Sequence, residues 1–255
     1  MTRYLIQPAQ SISRTLLWII GVALIAHISI AWGDHLPPGI QVIHVHTPAY
    51  LDRPPGSGPY SQEDIADAAE LAKLGDAEAQ ANLGIMYASR KEYQEAAYWY
   101  KQAAQAGIAT AAYNLGTLYF NGQGFPQDYA KAHQWFLLAA NRGNKYAEFQ
   151  LGITYYTSQG VKKDPAQEIS WYQKAARQGL PAAQYNLAVI YNNGDEVKRD
   201  NVKAYAWMLL AQKGGLDASS ALATIAQGMT PAQIRDAEIL SHSLASNQWL
   251  RDTRR

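Results

Sequence analysis

From Ser61 onward, apolar and polar positions alternate with helical spacing. Ala111, Leu115, Leu118 and Tyr119 recur at three and four residues, as do Ala132, Trp135, Phe136 and Ala139. That spacing puts each set on one face of an α-helix. The two segments repeat as a pair. Trp99, Trp135, Trp171 and Trp207 lie 36 residues apart, and a fixed period of this length marks stacked supersecondary units. Glycines 75, 107, 143 and 179 open units over 75–106, 107–142, 143–178 and 179–214. In each, a first segment ends in Leu83-Gly84, Leu115-Gly116, Leu151-Gly152 or Leu187-Ala188, with Tyr87, Tyr119, Tyr155 or Tyr191 three residues on. The second segment carries the tryptophan and, in the first three units, an alanine pair such as Ala139-Ala140.

Helix boundaries are written in the same units. Asp164-Pro165-Ala166-Gln167 supplies a capping carboxylate, a proline at the first helical position and a glutamine at the third. Asp128 and Asp200 stand at the equivalent place, and the closing glycine suits a left-handed residue past the helix end. Each unit therefore predicts helix, loop, helix, turn. Only 12 positions separate Tyr87 from Trp99, against 16 in the other units, so the first loop is short.

Roles follow from size. Gly84, Gly116 and Gly152 let the two helices of a unit approach closely, and the tryptophans and tyrosines fill the gaps between units. Neither helix can bury its apolar face alone, so stacking is expected to build one continuous core. Residues 61–74 read as an N-terminal capping helix. Residues 215–250 begin as a fifth unit, lose the Leu-Gly and the tyrosine, and contain the helix start Thr230-Pro231-Ala232-Gln233. They read as a C-terminal capping repeat before the tail 251–255.

The first part of the chain is different. Arg3 and Arg14 precede the apolar run Leu16–Trp32, broken by His27 and Ser29. A basic start, a short apolar segment and small residues at its end make residues 1–33 a cleaved secretory signal or an uncleaved membrane anchor. Either sends the rest out of the cytoplasm, to the periplasm or to the periplasmic face of the inner membrane. No cysteine follows the run, so a lipid anchor is excluded. Residues 34–60 hold six of the eleven prolines and read as an extended linker. His44 and His46 share a side there, with His35 nearby. Without further ligands they read as scattered linker histidines.

Composition narrows the function. The chain has no cysteine, which removes disulfides, thiolate metal sites and a cysteine nucleophile together. After the two leading arginines, 20 basic side chains face 21 acidic ones, a body with little field for a phosphate backbone. Nucleic acid is not an expected partner. Metalloprotease, phosphate-loop and serine-hydrolase motifs are missing. His133 and His242 stand alone in helical segments, and Asp195-Glu196 lies in a loop and reads as solvated.

Residues 107–142, with Leu115-Gly116, Tyr119, Gly122-Gln123-Gly124, Asp128, Lys131-Ala132, Trp135-Phe136, Ala139-Ala140 and Gly143, resemble the Sel-one-like repeat (SLR), a relative of the tetratricopeptide repeat (TPR). The resemblance covers about 61–250. It implies an all-α fold, an α/α superhelical solenoid of two-helix SLR/TPR-like repeats, used as an adaptor in bacterial envelopes. Departures from the pattern are Ser158 and Glu196 at loop glycines, Gln167-Glu168 for Lys-Ala, and Ala188 at the buried glycine. They read as weakening single loops.

Stacking puts equivalent residues in columns. Asn82, Asn114, Gln150 and Asn186 each precede the leucine, and amides that donate and accept suit an extended peptide backbone. With Tyr113 and Tyr185 nearby, this column is the expected peptide-binding stripe on the concave face. Alternatively, the amides tie one helix to the next loop. The expectation is an exported, non-enzymatic scaffold or regulator of the bacterial envelope that binds an unidentified protein or peptide. It uses no cofactor and no metal, and meets the membrane only through an uncleaved N-terminal segment. The alternative is an envelope enzyme or accessory subunit acting on cell-wall material, with the repeats as support.

Overall fold

The computed structural model describes residues 60–252, with side chains to residue 246. The segment 1–33, nearly all of the linker 34–60, and residues 253–255 of the tail lie outside the described residues. Those described form eleven helices and no strand. Helix α1 (Gln62–Lys73) precedes four pairs: α2 (Ala77–Ser89) with α3 (Tyr93–Gln105), α4 (Ala109–Asn121) with α5 (Tyr129–Asn141), α6 (Lys145–Thr157) with α7 (Pro165–Arg177), and α8 (Pro181–Asn193) with α9 (Asn201–Lys213). Helices α10 (Ser219–Ala226) and α11 (Pro231–Asp252) close the stack. Helices α1 to α8 pack chiefly on their neighbours in sequence and α11 folds back onto α9, so the fold is an α/α solenoid.

Local signals explain the regularity. All eight helices of the four pairs have 13 residues. Asp128, Asp164 and Asp200 accept hydrogen bonds from the first-turn amides of α5, α7 and α9. The first helices α4, α6 and α8 end on a left-handed residue, Gly122, Ser158 or Gly194. Ser158 holds this conformation (φ 59°) without glycine's freedom. The first pair lacks the long loop and turns through Arg90, Lys91 and Glu92 alone.

Within a pair, the glycine after leucine is what allows contact. A Cβ on Gly84 would come within 2.5 Å of the Tyr100 ring, and one on Gly116 within 2.7 Å of Phe136. Gly152 lies equally close against Tyr172. In the fourth pair Ala188 carries a real methyl, and Met208 replaces the ring. An unbranched thioether can bend around a methyl where a flat ring cannot.

This shifts the deep column by one residue from the tryptophans. Tyr100, Phe136, Tyr172 and Met208 are each buried to within 4%. Trp171 and Trp207 are also buried, whereas Trp99 and Trp135 are only half-buried. The second helix explains the shift. Ala96, Tyr100, Ala103 and Ala104 form a stripe at i, i+4, i+7 and i+8, and the tryptophan lies at its edge.

The core is not one continuous body. Its buried apolar residues form two clusters that meet in the third pair, where α7 gives Trp171 to one and Ile169 and Tyr172 to the other. Buried polar groups gather at that seam. The His133 ring meets Thr154 Oγ1 at 3.2 Å, and Gln178 donates to Glu148 at 2.8 Å. Polar groups also join other units. Gln80 donates to the Ala72 carbonyl and Gln184 to that of Ala176. The equivalent position facing Ala104 is Ala112, and there Arg142 reaches over from the end of α5 instead. At the end of the stack, Ala237 and Ser241 of α11 are buried, and Leu244 and Ala245 pack against the second cluster. Helix α11 starts with Thr230 and Gln233 capping each other reciprocally.

Candidate binding face and carboxylate pocket

The first helices carry the expected column, and its four amides are all half-buried. Two of them have partners inside the protein. Asn114 hydrogen-bonds the Tyr100 hydroxyl and Asn186 that of Tyr172, each joining a first helix to the second helix of the preceding pair. Burial pushes both phenols well above their ordinary pKa, and the amide bond pulls part of that back. Gln150 follows Phe136 by the same 14 residues, but Phe136 has no hydroxyl, and Asn82 follows Ala68. The column therefore mixes two jobs: Asn114 and Asn186 tie units together, while Gln150 and Asn82 face no such group. Tyr113 packs beside Phe136 and Tyr146, with centroids 5.8 and 6.1 Å away. Tyr146 is 50% exposed and Tyr185 38%, so the face offers aromatic surface as well as amides.

The face deepens into a cavity of about 410 Å³ between the third and fourth pairs. Tyr156, Lys163, Glu168, Tyr185, Asn186 and Glu196 are among the residues that line it. Glu168 occupies the α7 position that holds Ala96, Ala132 and Ala204 in the other pairs, and it is 2% exposed. Glu196 stands where the two preceding loops have Gly124 and Gly160. Those glycines press on the start of the preceding unit's second helix, with no room for a side chain. Of the acid pair expected to be solvated, Asp195 is exposed but Glu196 is largely buried. Its carboxylate accepts an ion pair from Lys163 at 3.1 Å and hydrogen-bonds Glu168. Two departures from the repeat, 28 residues apart, meet in one place.

Burial and the neighbouring Glu196 carboxylate raise the Glu168 pKa to about 7, and Lys163 offsets part of this. Two carboxyls in contact cannot both stay ionised cheaply, so below about pH 7 Glu168 keeps a proton, which lies in its hydrogen bond to Glu196. Apart from the proton held between the two carboxyls, neither Glu168 Oε2 nor Glu196 Oε2 has a hydrogen-bond partner among the described residues. Sequence had no local sign of this site. Its signal was the columns: an acid in an alanine column and another in a glycine column. Among the described residues, no group of three or more His, Cys, Asp or Glu is placed to hold a metal ion. His133 is buried. Burial lowers its pKa, and its partner is the Thr154 hydroxyl.

Helix pairs stacked between capping helices, with one face left unfilled, define a solenoid of the protein-binding kind. A family model described as Sel1 repeat matches residues 77–108, 109–144, 145–180 and 181–215, and the chain belongs to the Sel1 repeat family. Such repeats are in general protein–protein interaction scaffolds. The structure is similar to the protective antigen c5321 of uropathogenic Escherichia coli, which displays an SLR fold. The two are 33% identical over 75% of this chain, with a TM-score of 0.65. This chain spans 43% of that antigen. A Sel1 repeat protein from Oxalobacter formigenes is 30% identical over 70% of this chain and 77% of its own, with a TM-score of 0.60. No curated protein matches the chain.

Two outcomes are expected. Asn114→Ala strands the buried Tyr100 hydroxyl and costs about 1–3 kcal/mol, while Gln150→Ala costs less than about 0.5 kcal/mol. Denaturant unfolding of the two variants checks this, and equal losses contradict the division of the column. The second concerns pH. A raised carboxyl pKa in the folded state adds stability that is present at low pH and lost as pH rises through about 7. Glu196, Asp195, Lys163, Tyr156, Tyr172 and Tyr185 are the charged and titratable groups that share the cavity with Glu168. Glu168→Ala, which installs the residue of the other pairs, should therefore raise Tm. Its gain should be larger at pH 8 than at pH 5, by about 2–4 °C for each kcal/mol of strain relieved. Melts of both proteins at the two pH values check this, and a gain independent of pH contradicts it.

Proposed function

We propose that this protein is an exported, non-enzymatic scaffold of the bacterial envelope that binds a protein or peptide along its first-helix face, the concave side of such a solenoid. The observation that carries the reading is the face itself. Tyr146, Tyr156 and Tyr185 remain exposed there beside half-buried amides, whereas the ring column Tyr100, Phe136 and Tyr172 is consumed by packing. Exposed aromatics next to groups that donate and accept fit an extended peptide. Export rests on the basic-then-apolar segment 1–33. Binding of nucleic acid is disfavoured by the nearly balanced charge after residue 33. Among the described residues no helix is long and apolar enough to cross a membrane.

The paired acids do not favour the alternative of a wall-degrading enzyme. Glycoside hydrolysis holds its two carboxyls about 5–9.5 Å apart with the sugar between them. Glu168 and Glu196 are hydrogen-bonded to each other, and Lys163 already engages one of them.

Two measurements test the proposal. A reporter fused after residue 60 should be active only outside the cytoplasm. A partner captured from an envelope extract by the full chain should lose affinity at least about tenfold, roughly 1.4 kcal/mol, for the Tyr146→Ala, Gln150→Ala, Tyr185→Ala triple variant. Tyr98→Ala, which removes an exposed ring from a second helix, should bind as the parent does. An unchanged affinity of the triple variant contradicts the binding face, and a cytoplasmic reporter contradicts export.

A further inference from the structure

The cavity between the third and fourth pairs is built differently from the rest of the face. Glu168, Asp195 and Glu196 line it, against Lys163 as the single cation of its lining. Lys163 already spends its charge on Glu196 Oε1 and sits 5.5 Å from the centre of the Tyr156 ring. Glu168 is almost fully buried, and apart from the proton it shares with Glu196 neither carboxyl has a donor to its Oε2. Carboxylates at the end of a cavity, short of donors and walled by tyrosines, ask for a cation that brings several N–H groups on a flat frame. A guanidinium has that form. It presents parallel donors to paired oxygens, stays charged when desolvated, and stacks on aromatic rings. An ammonium is a point charge that gives up more hydration on entry.

We propose that this cavity is a receptor for an arginine side chain of the bound peptide. The proposal rests on the peptide-binding reading of the face and names what one of its positions selects. Charge accounts for the exchange. Before binding, two carboxyls, one shared proton and the Lys163 ammonium sum to zero. When the guanidinium docks on the two carboxyls it replaces their mutual hydrogen bond, the shared proton leaves to solvent, and the sum stays zero. No bond other than that O–H is broken. Arginine binding is thereby linked to proton release and tightens as pH rises toward the range where the pair ionises.

The test uses the full chain and three probes, acetyl-Gly-Arg-Gly-amide and its lysine and citrulline counterparts, titrated by NMR and calorimetry. At pH 7.5 the arginine peptide should bind at least about fivefold more tightly than either counterpart, a difference of about 1 kcal/mol. Its affinity should fall between pH 7.5 and 6, and the dependence of the calorimetric heat on buffer should grow over the same range, approaching one released proton at pH 6. Glu168→Ala and Glu196→Gln should each abolish the preference for arginine. Glu168→Ala keeps the alanine found in the other pairs, so its folding can be verified by its melt. Equal binding of the arginine and citrulline peptides, unchanged arginine binding by folded Glu168→Ala, or no arginine binding by the parent overturns the proposal. Any of these leaves the Tyr146, Gln150 and Tyr185 test of the wider face standing, so the two readings fail separately.

Discussion

The contact of a bare glycine with a ring sets the distance between the two helices of a unit. Gly84 against Tyr100, Gly116 against Phe136 and Gly152 against Tyr172 repeat it three times. Each ring fills the space that a side chain on the facing helix would take. Small residues then line the same stripe, Ala96, Ala103 and Ala104 in the first pair, because helices this close leave little volume. The fourth pair solves the problem by exchanging both partners, Ala188 for glycine and Met208 for the ring. That paired exchange is the best sign that the contact, more than either residue, is what the fold requires.

Once helix spacing is fixed, the remaining choices are polar. A ring with a hydroxyl brings a buried phenol that must be paired, and the next unit supplies Asn114 or Asn186. A ring without one, Phe136, releases Gln150 from that duty. The third pair departs furthest. Its alanine column holds Glu168, the loop after the following helix holds Glu196, and the apolar core divides there. A buried carboxyl pair is a poor source of stability. Its position at the floor of a cavity on the candidate binding face makes function the better account of why it is there.

Much of the fold could be read from the chain. Helical spacing, aspartate caps and closing glycines lie within a few residues of each other, so local sequence carries them. The ring that faces the glycine was not singled out, because tryptophan is the more conspicuous repeat and both residues keep the same 36-residue period. Only packing reveals that Tyr100 and Phe136 face the glycines and that Trp99 and Trp135 lie at the edge. The carboxylate pocket was harder. Glu168 and Glu196 were visible as departures, but a departure has no direction in sequence. Their meeting depends on how one unit's loop lies against the preceding unit's second helix.

The glycine–ring contact is tested most directly by a double-mutant cycle on Gly116→Ala and Phe136→Met, read by denaturant unfolding. In the parent, the added methyl should destabilise by about 1–3 kcal/mol through overpacking. In the Phe136→Met background, the account predicts that the same methyl stabilises by up to about 1 kcal/mol, its ordinary advantage over glycine in a helix. The two changes would then be coupled by well over the roughly 0.5 kcal/mol expected of independent sites. Additive effects, with Gly116→Ala equally costly in both backgrounds, would contradict it.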